Sequence, residues 1–341
     1  MPKKPAIPWQ RALQAIIDAN NKKRLDGKVS SNRTQEERAE VIFRGFETLR
    51  ELGYKLHNPS NFKPKHMQVL GYYWEEKGLS PATIQNAISI FRVFAEWIGK
   101  PGMIGPSENY VRNPDSVKRT YAAQEDKSWT ARDVDPLAII QQIAQEDPYV
   151  GIQLKVIHAF GLRRKEGVMF HPFLADKGDY LIVTEGTKGN RARHVLVDTP
   201  YKRQVLEEAK TFVRINSRKG IGGHIGDPKK TLEQNLDRYS NVMTRFGITK
   251  KFFGTTGHGL RAQFACDRLE DRGVTAPVRG GVKGQAPTEI EERAYLETSE
   301  ELGHSRKSVI AAYAGAVIVV DKETGEPVSS PAPNDHKKED N

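Results

Sequence analysis

From Lys100 to Trp129 the chain reads KPGMIGPSENYVRNPDSVKRTYAAQEDKSW. Glycine, proline, asparagine and charge interrupt every apolar repeat there, so no long helix can run through it. Residues 101–130 therefore read as an exposed linker that splits the 341 residues into two folding units. Before the linker, apolar residues recur at helical spacing. Ala39, Ile42, Phe43, Phe46 and Leu49 predict a helix from Thr34 to Leu52. A second is expected from about Lys65 to Lys77. A third opens at Ser80-Pro81-Ala82-Thr83, a cap followed by proline at the first helical position, and runs on through Ile84, Ile88, Phe91 and Trp97. Residues 31–100 thus form a helical unit, preceded by an arm over 1–30 with a helix from Trp9 to Leu25.

The second unit, residues 131–315, begins with helices around Asp135–Gln145 and Pro148–Phe160. The segment DYLIVTEGTKGNRARHVLVDT then changes period. LIVT and HVLV are β-branched runs around a Gly- and Lys-rich turn, which is a hairpin signature. Helices around Tyr201–Ser217, Leu232–Phe246 and His258–Arg272 follow. A basic Gly/Pro-rich loop leads from there to a final helix carrying ELGHSRKSVIAAYAG. The tail, 316–341, holds a short strand-like run, AVIVV, and a polar end that reads as disordered. The fold class is mainly α with a small β-sheet in the second unit.

The net charge of +10, from 53 Lys and Arg against 43 Asp and Glu, points to a polyanionic partner such as nucleic acid. One cysteine, Cys266, excludes an internal disulfide and a cysteine zinc site, and fits a reducing cytoplasm. No apolar run approaches the roughly 20 residues of a membrane span. The basic start MPKKPAIPWQRALQ lacks the apolar stretch of a secretory signal.

Three separated motifs share one chemical theme. In GLRRKE, Arg163 and Glu166 stand three apart and share a helical face, which taken alone is an ordinary surface ion pair. In HGLR, His258 and Arg261 do the same at a tight helix entry, where backbone N–H groups can meet an anion. In LGH and the residues after it, His304 precedes Tyr313 by nine positions, and the bland reading is a core tyrosine. Together, two arginines, two histidines and a tyrosine suggest an electropositive site around a nucleophile.

From about Ser128 to Gly315 this ordered set, GLRRKE, TKGNRARHV, HGLR and LGHSRKSVIAAY, resembles the tyrosine recombinase (phage integrase) family. KGLSPATIQNAISIFRVFAEW resembles the family's core-binding domain. The resemblance implies cleavage and rejoining of DNA through a 3′-phosphotyrosyl intermediate, for integration or excision of a mobile element. Arg163 and Arg261 match the paired arginines, whose planar guanidinium forks suit a phosphodiester under attack. Tyr313 matches the nucleophile, a phenol that needs a charged pocket or a base. His258 matches a base or phosphate ligand, His304 a hydrogen-bond donor to phosphate, and Glu166 an orienting acid. Lys188, on the hairpin turn, matches the proton donor to the leaving 5′-oxygen. Arg164, Arg191 and Arg193 are expected to hold DNA phosphate. No metal, cofactor or ATP is implied.

The implied partners are double-stranded DNA recombination sites, clamped between the two units, and three further copies in a tetrameric synapse. Accessory DNA-bending proteins stay open, and the location is the cytoplasm with its nucleoid. The interval between Arg261 and His304 is longer than in compact members and reads as a surface insertion. The tail either completes its own domain or exchanges between protomers. A type IB-like topoisomerase and a non-catalytic, sequence-specific DNA-binding regulator of the same fold are the competing readings.

Overall fold

The computed structural model describes residues 8–23, 27, 29–187, 189, 191–217, 219–282, 287–304 and 306–315, with 319–320 and 327–328. It divides into two compact units, Met1–Thr120 and Tyr121–Asn341.

The first unit contains α1 (Pro8–Asn20), α2 (Asn32–Glu51), α3 (Pro64–Glu76) and α4 (Pro81–Trp97). Ser80 caps α4 by accepting from the Thr83 N–H at 3.2 Å, with Pro81 in the first turn. Ser31 caps α2 in the same way through Thr34. Four phenylalanines, Phe46, Phe62, Phe91 and Phe94, fill the centre, with the Phe62 and Phe91 rings stacked at 5.1 Å. The expected N-terminal arm does not stand apart. Trp9, Leu13 and Ile17 of α1 are buried in this same core.

The stretch read as an exposed linker is corrected over most of its first half. Ile104, Tyr110, Val111 and Val117 are buried against the helices. Gly71 of α3 makes room for the 3₁₀ turn Ser107–Tyr110, since a Cβ there would fall 1.9 Å from the Tyr110 carbonyl oxygen. Arg92 holds the segment by donating to the Gly105 carbonyl at 2.9 and 3.1 Å. Proline and glycine broke the helical pattern without removing the apolar residues that dock the chain.

The second unit is organised around two nearly sheathed helices, α6 and α11. Its order is α5 (Pro136–Glu146), α6 (Pro148–Phe160), α7 (Arg164–Val168), α8 (Pro172–Ala175), β1 (Tyr180–Val183), β2 (Arg193–Leu196), α9 (Pro200–Asn216), α10 (Leu232–Arg245), α11 (Gly259–Asp271), α12 (Glu289–Glu301) and α13 (Ala311–Ala314), then β3 (Val319–Val320) and β4 (Pro327–Val328). α6 is apolar nearly all round, as a helix packed on several sides must be. Asp147 ends α5 and caps α6 through the Val150 N–H at 3.1 Å. β1 and β2 pair antiparallel, from Tyr180 opposite Leu196 to Val183 opposite Arg193. The inward face carries Leu181, Val183, Val195 and Arg193. β3 pairs with β4, while most of the tail, and with it the question of exchange, lies outside the described residues.

One ion cluster fastens the start of this unit. Arg279 bonds Asp126 at 2.8 Å, Asp267 at 2.7 Å and Glu270 at 3.0 Å, tying the chain before α5 to α11. Arg279→Met should lower stability by about 2 kcal/mol in urea unfolding, because Asp126 is left largely buried without its cation. A loss of under about 0.5 kcal/mol, the size of an ordinary surface substitution, would show the cluster to be ornamental.

Candidate active site

The site is assembled where α6, α11 and the end of α12 converge. α6 stops at Gly161, which adopts a left-handed conformation (φ 58°) that ends the helix. The Gly161 carbonyl then accepts from Nη1 of Arg261. Two residues on, Arg163 caps the short α7. Its backbone N–H donates to Glu166 Oε2 at 2.7 Å and its Nη1 to Glu166 Oε1 at 2.6 Å. The pair, which taken alone reads as a surface one, is buried on the carboxylate side: Glu166 is 0% exposed.

α11 enters the core at Gly259, with His258 at its N-cap. The entry loop is held by Trp129, fully buried, whose indole N–H donates to the Thr256 carbonyl at 2.8 Å. The Thr255 hydroxyl donates to the Lys127 carbonyl at 2.9 Å. Arg261 follows on the first turn and is 0% exposed. Its Nη2 donates to the Leu302 carbonyl and its Nε to the Tyr313 hydroxyl at 3.0 Å. Arg163 donates to the same Leu302 carbonyl at 3.3 Å and to His304 Nε2 at 3.3 Å. Since a guanidinium can only donate, His304 Nε2 accepts in that bond, which leaves the proton of a neutral ring on Nδ1.

Tyr313 lies in the mouth of this cluster. Its ring centre is 5.6 Å from that of His258 and 6.3 Å from that of His304. Residues from four separate stretches, 161–166, 258–261, 302–304 and 313, thus meet around one hydroxyl.

The electrostatics are lopsided by design of the neighbours. Desolvation alone would raise the Glu166 pKa, but Arg193, Arg261 and Arg163 outweigh it and lower it to about 2. The His258 pKa falls to about 4 because its ring is packed among protein groups and faces the cations Arg261, Arg163 and Lys127. With that pKa the ring is neutral at pH 7, while the residue as a whole keeps solvent access.

With that geometry in view, two family models match. The model described as "Integrase" matches residues 124–267, and the one described as "Phage integrase, N-terminal" matches residues 19–104. The chain belongs to the tyrosine recombinase (phage integrase) family. Among curated proteins no sequence matches. Among solved structures, a lambda integrase tetramer bound to a Holliday junction is similar at 14% identity and a TM-score of 0.54, over 92% of this chain and 81% of that one. The Tn1549 transposon integrase in complex with transposon right end DNA is similar at 16% identity and a TM-score of 0.54, over 91% and 96%. The XerH recombinase bound to a difH substrate is similar at 14% and 0.53, over 89% and 90%. At these identities the likeness is one of fold.

Several expectations for this tyrosine recombinase need correcting. Arg193 does not face solvent to hold phosphate. It is 3% exposed, and its Nη2 donates to Glu166 Oε2 at 2.7 Å. The parity of RHVL carried the signal: Arg193 shares a strand face with buried Val195. Arg164 is exposed beside the site and bonds the Ser240 hydroxyl at 2.7 Å. Arg191 lines an open cleft of about 450 Å³ with His304. Lys188 lies outside the described residues.

His304 and Tyr313 do not share one helical segment. α12 ends at Glu301, His304 follows in a turn, and a 3₁₀ turn Lys307–Ile310 leads into α13. The break lets the chain fold back, with the Ser299 hydroxyl donating to the Arg306 carbonyl at 2.8 Å. The interval before His304 is also no mere surface insertion. α12 buries Ala294, Tyr295, Thr298 and Ser299, and delivers the Leu302 carbonyl to both arginines. Sequence reasoning missed the Gly161 and Leu302 carbonyls because a backbone acceptor has no letter of its own.

Proposed function

We propose that this protein is a site-specific DNA recombinase acting through a 3′-phosphotyrosyl intermediate, for integration or excision of a mobile element. The observation that carries the reading is the contact of Arg261 Nε with the Tyr313 hydroxyl at 3.0 Å, with Arg163 fixed beside it on the shared Leu302 carbonyl. A phosphodiester that enters meets two guanidiniums held by backbone acceptors, so little reorganisation is left for the transition state. Tyr313 oxygen attacks phosphorus, forming the phosphotyrosyl bond as the bond to the 5′-oxygen breaks. Neutral His258 accepts the phenolic proton. Lys188 is the proposed donor of a proton to the leaving 5′-oxygen. His304 and Arg163 steady the non-bridging oxygens, and Glu166 orients Arg163. Arg164 and Arg191, both exposed at the rim, hold flanking phosphates. DNA-bound relatives of this fold, one a tetramer on a Holliday junction, support a duplex partner and a tetrameric synapse.

The test is a nicked suicide substrate carrying the cognate site, with the covalent adduct read on a denaturing gel. Strand exchange between two such sites, set against relaxation of a supercoiled plasmid, separates a recombinase from a topoisomerase. Absence of an adduct with the wild-type protein sinks the mechanism.

The pH dependence follows from His258. Its folded pKa, about 4, lies below the usual value, so the base form persists as pH falls until about 4. In single-turnover cleavage at subsaturating protein, where free-enzyme ionisations show, the acid limb should fall near pH 4 and be missing near 6.5. A limb near 6.5 that disappears in His258→Asn would overturn this assignment.

A further inference from the structure

We propose that Arg193 is a positioning residue for strand cleavage, acting through Glu166 on Arg163 and through the Glu301 carbonyl on the end of α12. The proposal rests on the reading of the site as a strand-cleaving centre and adds a residue that touches neither DNA nor nucleophile.

The geometry gives Arg193 three attachments. Nη2 donates to Glu166 Oε2 at 2.7 Å and to the Gly161 carbonyl at 3.4 Å. Nη1 donates to the Glu301 carbonyl. Each attachment sits one hydrogen bond or one residue from a proposed phosphate-binding group. The other Glu166 oxygen receives Arg163 Nη1 at 2.6 Å. Gly161 also accepts from Arg261. Glu301 precedes Leu302, whose carbonyl receives both Arg163 and Arg261, and His304 lies two residues further. A single guanidinium in β2 therefore fixes the hairpin, the α7 cap and the α12 terminus relative to one another.

The charge pattern agrees. Arg163, Arg193 and Arg261 surround one carboxylate, and Arg193 is foremost among the cations keeping Glu166 ionised. A planar fork is needed, because the carboxylate and the Glu301 carbonyl are reached by different nitrogens of the same group.

The decisive measurement separates cleavage from binding. Arg193→Gln should slow single-turnover cleavage of the nicked suicide substrate roughly tenfold to a hundredfold, as removing a group that orients a catalytic ligand does. DNA affinity and its salt dependence should stay as in wild type. A phosphate-holding arginine would instead weaken binding and lower the salt slope by about one. Arg193→Lys should recover part of the rate, since it restores the charge without the fork. Glu166→Gln combined with Arg193→Gln should be no slower than the slower single variant, because both act along one chain of contacts.

Thermal melting of wild type, the two Gln singles and the double variant reads the pairing without any cleavage. The double variant should lose less melting temperature than the two singles combined. A wild type that cleaves nothing refutes the strand-cleaving reading while this cycle still tests the pair. Additive melting losses, multiplicative rate losses, or a binding loss as large as the rate loss would each overturn the role of Arg193.

Discussion

Tyr313→Phe is expected to abolish the covalent DNA adduct, cutting cleavage by at least about a thousandfold while leaving DNA binding near the wild-type level. The substitution deletes one oxygen, and among the described residues that oxygen's hydrogen-bond partner is Arg261 Nε. The ring keeps its places beside His258, His304 and the Arg261 guanidinium, 5.5 Å from the ring centre, so the pocket keeps its shape. Tyr313 itself is 8% exposed, and phenylalanine suits that setting at least as well. Melting temperature should therefore hold or rise slightly. Adduct formation at a comparable rate in the Phe variant would mean that another residue attacks the phosphodiester.

Arg261→Lys should be nearly as damaging, and for a different reason. Lysine keeps the charge but offers one nitrogen where three are in use, on the Gly161 carbonyl, the Leu302 carbonyl and the Tyr313 hydroxyl. At 0% exposure no water replaces the lost donors. Two buried bonds are lost, and the Gly161 and Leu302 carbonyls fall back on the longer bonds from Arg193 and Arg163, which places the stability loss at about 1–3 kcal/mol. Loss of aimed charge at the phosphate places the cleavage loss at roughly a hundredfold to a thousandfold. Denaturant melts and single-turnover cleavage measure the two separately. A Lys variant that is fully stable and fully active would remove Arg261 from the centre of the mechanism.

Much of the helical framework was legible in the sequence because its signals are local. Ser80-Pro81 and Asp147-Pro148 cap helices by short-range hydrogen bonding, and the change from helical to alternating period marks the β1–β2 hairpin. The convergence of Arg163, His258, Arg261, His304 and Tyr313 on one pocket was legible only through the order of their motifs. What stayed hidden depends on contacts distant in sequence. An arginine between two exposed neighbours, as Arg193 is in RARH, looks like surface until its strand parity with Val195 is weighed. The stretch 104–117 looked like linker because its glycines and prolines end helices, yet Tyr110 and Val117 still find apolar partners. The break after Glu301 had a local signal that the helical reading passed over: Gly303, at φ 74°, ends α12, and the Ser299 hydroxyl then holds the fold-back through the Arg306 carbonyl.

The burial of Arg261 under Tyr313 has a consequence for the order of events. Every nitrogen of that guanidinium bonds inside the protein, and the one of those three acceptors carried by the single-turn α13 is the phenol. Those bonds use three of its five N–H groups; under the proposed function, a phosphate oxygen that takes the Nε donor displaces the phenol from it. The nucleophile is thus capped by the same cation that will later stabilise the reaction. Where the phosphate takes that donor, docking of the scissile group and uncapping of the attacking oxygen become one exchange, and the DNA itself arms the tyrosine.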